Sequence, residues 1–355
     1  MENTVTVLMT GAGAPGAPGI IRCLRKNGER SIRIVGVDMN ENAAGRKLVD
    51  AFYTVPAAKD PGFLDRVLEV CEKERVQVVM PLVTRELLTF SRNLEAFRSR
   101  GIGVSVMEYD SLRIANNKVK LLEKMRQLGM PTPAFLSCAT VEEVEEACKK
   151  LGYPQNAVCV KGAEGNGSRG VRLIDPGKSM YDLLFNEKPN SMYMSYHDLI
   201  GALKEKPQIP QMMVMELLPG EEYGVDALCE DGKVLYMAGR YNFAVNSSIP
   251  QGSIIESREK PFEIAAELIE KLHMSGNVNF DFKYDAAGEP KLIEINPRLS
   301  ATIVSYAPAG INFPYLQLKR LLGEPLPKLS IREGTVMQRR YHEVFFAPDG
   351  SEMEW

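Results

Sequence analysis

The chain has 355 residues, 45% hydrophobic and 25% charged, with a formal net charge of −3. That is the balance of a globular protein with room for two or three domains, and it makes no electrostatic case for nucleic acid or an anionic membrane as partner. Six scattered cysteines without a C-x-x-C pair, and three histidines without zinc-site spacing, predict reduced thiols in a cytoplasmic protein.

The opening MENTVTVLMTGAG has no basic segment leading into an apolar one, and apolar runs such as VQVVMPLV are too short to span a bilayer. Residues 4–38 read as strand (TVTVLM), glycine loop, helix (IIRCLRKNGE) and strand (IRIVGVD). FLDRVLEVCEKE is amphipathic at helical spacing, VQVVMPLV is a buried strand, RELLTFSRNLEAFRSRG is a helix, and GVSVM closes the unit near residue 110. This alternation implies a parallel sheet. SLRIANNKVKLLEKMRQLG reads as one helix ending at Gly129, and NAVCVKG as a strand running into a second glycine loop. A turn-rich stretch, 178–210, holds one helix around SYHDLIGALKEK. MMVMELL, YGVDALCED and KVLYMAGRYNFAV then predict antiparallel strands with an Asp-Gly hairpin at 231–232. EIAAELIEKLHM and FPYLQLKRLLGEP are helices, and TVMQRRYHEVFF is a last strand.

The first loop places Gly11, Gly13 and Gly16 in G-x-G-x-x-G spacing, with Asp38 ending the next strand. Alone, this would suggest a dinucleotide-binding dehydrogenase. Pro15 and Pro18 remove amide donors that a phosphate cradle would use, and any doubly wound sheet needs a tight first turn. The second loop, KGAEGNGSRGV, has Gly162, Gly165, Gly167 and Gly170, with Ser168 and free amides able to meet phosphate oxygens and Lys161 at the strand end. It lacks Walker spacing, and a mobile surface turn is the competing account.

NVNFDFKYDAAGEPKLIEINPR, residues 277–298, reads as a hairpin. If Asp285 pairs with Pro290, Asp281 falls opposite Glu294. Alternation puts Glu294, Asn296 and Arg298 on one face. Two opposed carboxylates repel unless a cation lies between them. Magnesium with nucleotide phosphate suits carboxylate and amide oxygens, and an arginine beyond would meet phosphate or an oxyanion. The competing account is a solvated strand face. The repulsion also implies that neutralising Glu294 leaves the ligand-free protein at least as stable.

VCVKGAEGNGSRGV, MVMELLPGEEYGVDAL and NVNFDFKYDAAGEPKLIEINPR together resemble, in order and spacing, the ATP-grasp ligases. The likeness is to single-module relatives of the carbamoyl-phosphate synthase large subunit and biotin carboxylase, over residues 4–325. It implies an α/β fold: a Rossmann-like domain over 1–112 that generally binds no dinucleotide, a linker helix and small lobe over 113–215, a large lobe over 216–330, and a strand extension over 331–355. It implies ATP and Mg2+ as cofactors, with Mn2+ as a substitute. Lys118 and Lys161 would contact phosphates under the flap of Gly165, Gly167 and Ser168. Glu216, Leu217 and Leu218 would lie along the adenine, and Glu222 would hold the ribose. Asp281, Glu294 and Asn296 would bind the metal, and Arg298, with Lys161, would steady the transferred group.

Asn117 stands where the family often has Asp, Gly162 where it usually has Pro, and Asp281 where relatives carry Glu or Gln; the Gly162 change is expected to loosen the flap. The implied activity is activation of a small-molecule carboxylate as an acyl phosphate and transfer to an amine, with a thiol or bicarbonate-derived acceptor as runner-up. A homodimer is admissible. An ATP-binding regulatory module without chemistry and an NAD(P)-dependent dehydrogenase are the readings from other classes. The substrate pocket is expected from 239–253 and 299–314, with Arg240 as a candidate carboxylate clamp.

Overall fold

The computed structural model describes residues 4–165, 169–188, 191–246, 249–340, 343–349 and 351–353. The first strands and helices are β1 (Val5–Thr10), α1 (Ala17–Arg25), β2 (Ile32–Asp38), β3 (Ala51–Thr54), α2 (Phe63–Glu74), β4 (Val78–Met80), α3 (Leu87–Arg92), α4 (Leu94–Arg98) and β5 (Gly103–Val104). The strands form a parallel sheet in the order β3-β2-β1-β4-β5. β1 is buried at every position, as expected of a strand covered on both faces. α2 has the bounds that its periodicity predicts. The expected helix over 85–101 is two, with Asn93 between them.

α5 (Tyr109–Ala115) and α6 (Lys118–Gln127) replace the single helix expected over 111–129. The break is chemical: Asn117 leaves helical geometry, and its side-chain oxygen accepts from Lys120 N, 3.0 Å, to cap α6. Next come β6 (Phe135–Cys138), α7 (Val141–Lys150), β7 (Val158–Gly162), β8 (Arg172–Ile174), α8 (Met180–Phe185), α9 (Tyr196–Lys204) and β9 (Met212–Glu216). Their strands make an antiparallel sheet in the order β6-β9-β7-β8.

The third sheet, in the order β14-β13-β10-β11-β12-β15, comes from β10 (Glu222–Glu230), β11 (Lys233–Asn246), β12 (Ile249–Ile255), β13 (Gly276–Tyr284), β14 (Pro290–Asn296) and β15 (Val336–Gln338). α10 (Glu259–Lys271) packs on β10 and β11, and α11 (Phe313–Leu321) on β10, β13 and α1. β16 (Phe345–Phe346) and β17 (Glu352–Met353) close the chain as a small ribbon. The Asp-Gly hairpin forms as expected: Asp231 and Gly232 both have positive φ, 43° and 77°. One buried cluster runs from Leu8 through Phe90 and Leu122 to Phe280 and Ile295, so the first and third sheets share a core. All six cysteines are buried and free. Among the described residues no helix is long and apolar enough to cross a membrane.

The first glycine loop works as a packing joint. Gly11 needs its φ of 62°, and Gly13 N donates to Asp38 Oδ2, 2.8 Å, so the acid that a ribose would need is already engaged by the loop itself. A Cβ on Gly16 would sit 2.9 Å from Ala301 Cα, because the segment after β14 lies against the start of α1.

Candidate active site

Lys118, Lys161, Gly165, Glu216, Leu217, Leu218, Glu222, Asp281, Glu294, Asn296 and Arg298 all line one cleft of about 550 Å³ between the second and third sheets. Gly167 and Ser168 lie outside the described residues.

The third sheet supplies the floor. Glu294, Asp281, Gly224 and Arg240 are successive register partners across β14, β13, β10 and β11. The expected pairing of Asp281 with Glu294 is present, but the hairpin neck differs. Tyr284, not Asp285, pairs with Pro290, and a bulge between Asp281 and Phe282 restores the step. The turn is tied by Asp285, whose Oδ1 accepts from the amides of Ala287 and Glu289. Arg298 lies past the end of β14. It reaches the cleft through a turn, Arg298 N donating to Asn296 O at 2.8 Å, and not through strand alternation.

The two carboxylates do not share their repulsion equally. Lys118 Nζ is 3.1 Å from Glu294 Oε2. Burial would raise the Glu294 carboxyl, but Lys118 first and Lys161 second outweigh it and hold the group below its ordinary value. Asp281 takes the strain: burial first, then Glu294, push it up to about 7 against the pull of Arg240. Asn296 Nδ2 donates to Asp281 Oδ2 at 2.9 Å and lies 3.3 Å from Glu294 Oε1, which ties the three together. The two carboxylates are hard oxygen donors that fit magnesium completed by phosphate or water oxygens, and Asn296 would add its amide oxygen by turning over, since its Nδ2 faces both carboxylates. Among the described residues no group of three His, Cys, Asp or Glu could hold a metal alone.

Lysines form the opposite wall. Lys118 opens α6 and its Nζ donates to Gly165 O, 3.1 Å. Lys161, in β7, is buried and forms no ion pair among the described residues, so a cation stands ready for an anion. Asn117 does two jobs, and Asp could do only the first. Its oxygen caps α6, and its Nδ2 donates to Glu164 Oε1 at 3.1 Å, where a second carboxylate would repel. Gly162 N donates to Gly170 O, 3.2 Å, a bond that proline lacks the hydrogen to make. The Gly162 departure therefore ties the base of the flap where loosening was expected. Glu216 Oε1 accepts from Ala134 N, 2.8 Å, which leaves Leu217 and Leu218 as the apolar surface there. Cys159 also lines the cleft, but burial raises its thiol, so it is no ready nucleophile.

Arg240 is not a free clamp. It is 2% exposed, and its Nη1 donates to Asp226 and, at 2.8 Å, to Tyr306 Oη. Burial opposes its charge, but Tyr306 and Asp226 outweigh burial and raise the guanidinium above its ordinary value. A Cβ on Gly224 would meet the guanidinium at 2.9 Å, so that glycine makes room for it. Arg298 is the available guanidinium: Nε donates to Thr84 Oγ1 at 3.2 Å and Nη1 to Leu299 O at 2.8 Å, both neutral acceptors. No motif marks Thr84, which follows β4 of the first sheet, or the Arg240–Asp226–Tyr306 cluster, whose members come from different parts of the chain.

Residues 208–342 match a family model described as ATP-grasp in the biosynthetic pathway with Ter operon, and residues 7–105 match the PylC-like N-terminal domain. The chain is 23% identical over 279 residues to the carbamoyl phosphate synthase large chain of Clostridium acetobutylicum, covering 75% of this chain and 24% of that one. It is 26% identical over 295 residues to the Pyrococcus furiosus protein, covering 79% and 25%. The chain thus spans about a quarter of these relatives. Similar solved structures include an L-amino acid ligase from Bacillus licheniformis (TM-score 0.63, 16% identity, 91% of this chain and 75% of that). N5-carboxyaminoimidazole synthetase from Staphylococcus aureus, complexed with ADP, is another (TM-score 0.66, 15% identity, 94% and 81%).

Proposed function

The chain carries an ATP-grasp domain behind a PylC-like N-terminal domain, and on that premise we propose that it is an ATP-dependent ligase joining a carboxylate to an amine. The observation that carries this is the facing of Asp281, Glu294 and Asn296 by two lysines and Arg298 in one cleft. In this reading a substrate carboxylate oxygen attacks the γ-phosphorus of ATP, the bond to the bridging oxygen breaks, and ADP leaves. The amine nitrogen then attacks the acyl carbon, the carbon–oxygen bond to phosphate breaks, and phosphate departs as the nitrogen loses a proton.

Lys161 and Lys118 hold phosphate oxygens, Lys118 exchanging Glu294 for the nucleotide. Leu217 and Leu218 flank the adenine, and Glu222 accepts from the ribose. Arg298, fixed by Thr84, holds the carboxylate and then the charge of the acyl phosphate. Asp281, Glu294 and Asn296 would hold magnesium, or manganese in its place, which neutralises phosphate charge when bound. Nucleotide analysis after turnover with amines and small carboxylates tests the reading: ADP and phosphate are expected, and AMP with pyrophosphate would refute it.

A further inference from the structure

One end of the cleft differs chemically from the rest. Beyond Arg298 it is walled by Ala14 and Pro15 of the first glycine loop, Leu82 and Val83 after β4, and Leu299 and Ala301 after β14. The placement is fixed from both sides. Arg298 donates to Thr84, next to Val83, and Gly16 packs on Ala301. The wall carries no charged side chain, and its two hydroxyl residues, Ser300 and Thr302, are buried. The nearest acids are engaged elsewhere: Glu86 accepts from the Thr10 hydroxyl, and Asp38 accepts from the amides of Gly13 and Asn40. Arg339, the nearby cation, donates to the carbonyls of Ala301 and Pro250.

We propose that the carboxylate substrate is an apolar monocarboxylic acid, its carboxylate on Arg298 and its hydrocarbon tail in the slot between the first glycine loop and residues 299–301. This rests on the ligase reading and names its substrate class. A single guanidinium with neutral partners matches one carboxylate. A second carboxylate in the tail would lose its water with no cation lining the slot to meet it, since Arg339 is not part of the cleft's lining. An α-ammonium would find no uncommitted carboxylate on this wall. The slot therefore selects against diacids and against free amino acids by desolvation, and for branched hydrocarbon by burial.

The test uses the full chain with MgATP and hydroxylamine as amine, and reads hydroxamate and ADP. The acids are butanoate, 3-methylbutanoate, 4-methylpentanoate, phenylacetate, glutarate, leucine and glutamate. The branched acids and phenylacetate are expected to exceed glutarate and leucine by at least about tenfold in kcat/KM, with about fourfold for each added methylene up to the slot's length. Ala14→Lys, at the slot mouth, should invert the order by raising glutarate relative to 4-methylpentanoate. Its backbone bond, Ala14 N to Gly11 O, is untouched by the change. Preference of the unaltered chain for glutarate, glutamate or leucine would overturn the proposal and leave the ligase reading standing. So would an unchanged preference in folded Ala14→Lys. Neither hydroxamate nor acid-dependent ADP from any acid would overturn the ligase reading and this proposal with it.

Discussion

Gly16→Ala separates the two accounts of the first glycine loop. Gly16 caps α1 with φ −82° and ψ −18°, which alanine adopts freely, so backbone strain plays no part. The added methyl would lie 2.9 Å from Ala301 Cα and 3.4 Å from its Cβ. A Cα cannot rotate away, so α1 or the 299–302 segment must shift. Overpacking of this kind costs about 2 kcal/mol. In a chain of this size that lowers the melting temperature by about 3 °C. The same segment begins with Leu299, whose carbonyl accepts from Arg298. Displacing it should misplace the guanidinium, so kcat/KM for the carboxylate should fall more than kcat/KM for ATP. Ala301→Gly should rescue only partly, because it removes the 3.4 Å neighbour and leaves the 2.9 Å one. Thermal unfolding by circular dichroism and steady-state kinetics read both effects. A melting temperature within 1 °C of the parent with unchanged kinetics would refute the packing account. Saturable NAD(P)H binding lost in Gly16→Ala would favour the dinucleotide reading in its place.

Other perturbations probe the charge balance. Lys161→Ala should raise KM for ATP and lower turnover about 100-fold. It should lower the ligand-free melting temperature only modestly, since Lys161 makes no direct ion pair among the described residues although its charge, after that of Lys118, helps to hold the Glu294 carboxyl down; wild-type kinetics in the folded variant would sink its phosphate role. Asp281→Asn should raise ligand-free stability at pH 8 while abolishing turnover, because Asp281 bears the repulsion. Glu294→Gln should lower stability by stranding Lys118, against the expectation from two equal carboxylates; urea denaturation of both variants checks the order. Glu86, buried beneath Thr10, is pushed by burial from 4.5 to about 7. A carboxyl raised on folding contributes stability below 4.5 and loses it as pH rises through 7, by at most about 3 kcal/mol at about 1.4 kcal/mol per unit. Glu86→Gln should therefore gain on the parent between pH 5 and 8 and match it near pH 4, and equal melting curves at pH 8 would refute this.

How much of this was legible depended on whether the signal was local. α2 follows from its apolar spacing because helical periodicity is a local property. Asn117 breaks the helix that the same periodicity extends through it, because its role is set by Lys120 N and Glu164, and the second partner lies beyond the helix. The hairpin of Asp281 and Glu294 is legible from alternation and a turn. Its central pairing holds although the neck is displaced by one residue, since a bulge compensates. A bulge leaves little trace in composition. The glycine fingerprint has correct spacing and context, yet its acid is occupied by Gly13 N and its third glycine by Ala301, a residue 285 positions away. Arg240 shows the same limit: an arginine on a strand looks solvated until Asp226 and Tyr306 are brought against it.

The cleft holds two ion pairs, one sealed and one open. Arg240 with Asp226 is sealed away and stays paired, and the register sets it two strands from Asp281 with only Gly224 between. Its charge therefore lowers Asp281 without being spent on it. Lys118 with Glu294 is the open pair, at 3.1 Å, with the glutamate side chain 32% exposed. If both groups serve as proposed, a nucleotide cannot take Lys118 without freeing Glu294, and a freed Glu294 restores the repulsion on Asp281 unless a cation arrives with the phosphate. Nucleotide and metal binding are then thermodynamically linked through one salt bridge, each strengthening the other by the same factor. Replacing Glu294 should cut that coupling from both directions at once, while replacing Lys161, which makes no direct ion pair among the described residues, should weaken nucleotide binding and leave most of the metal dependence in place.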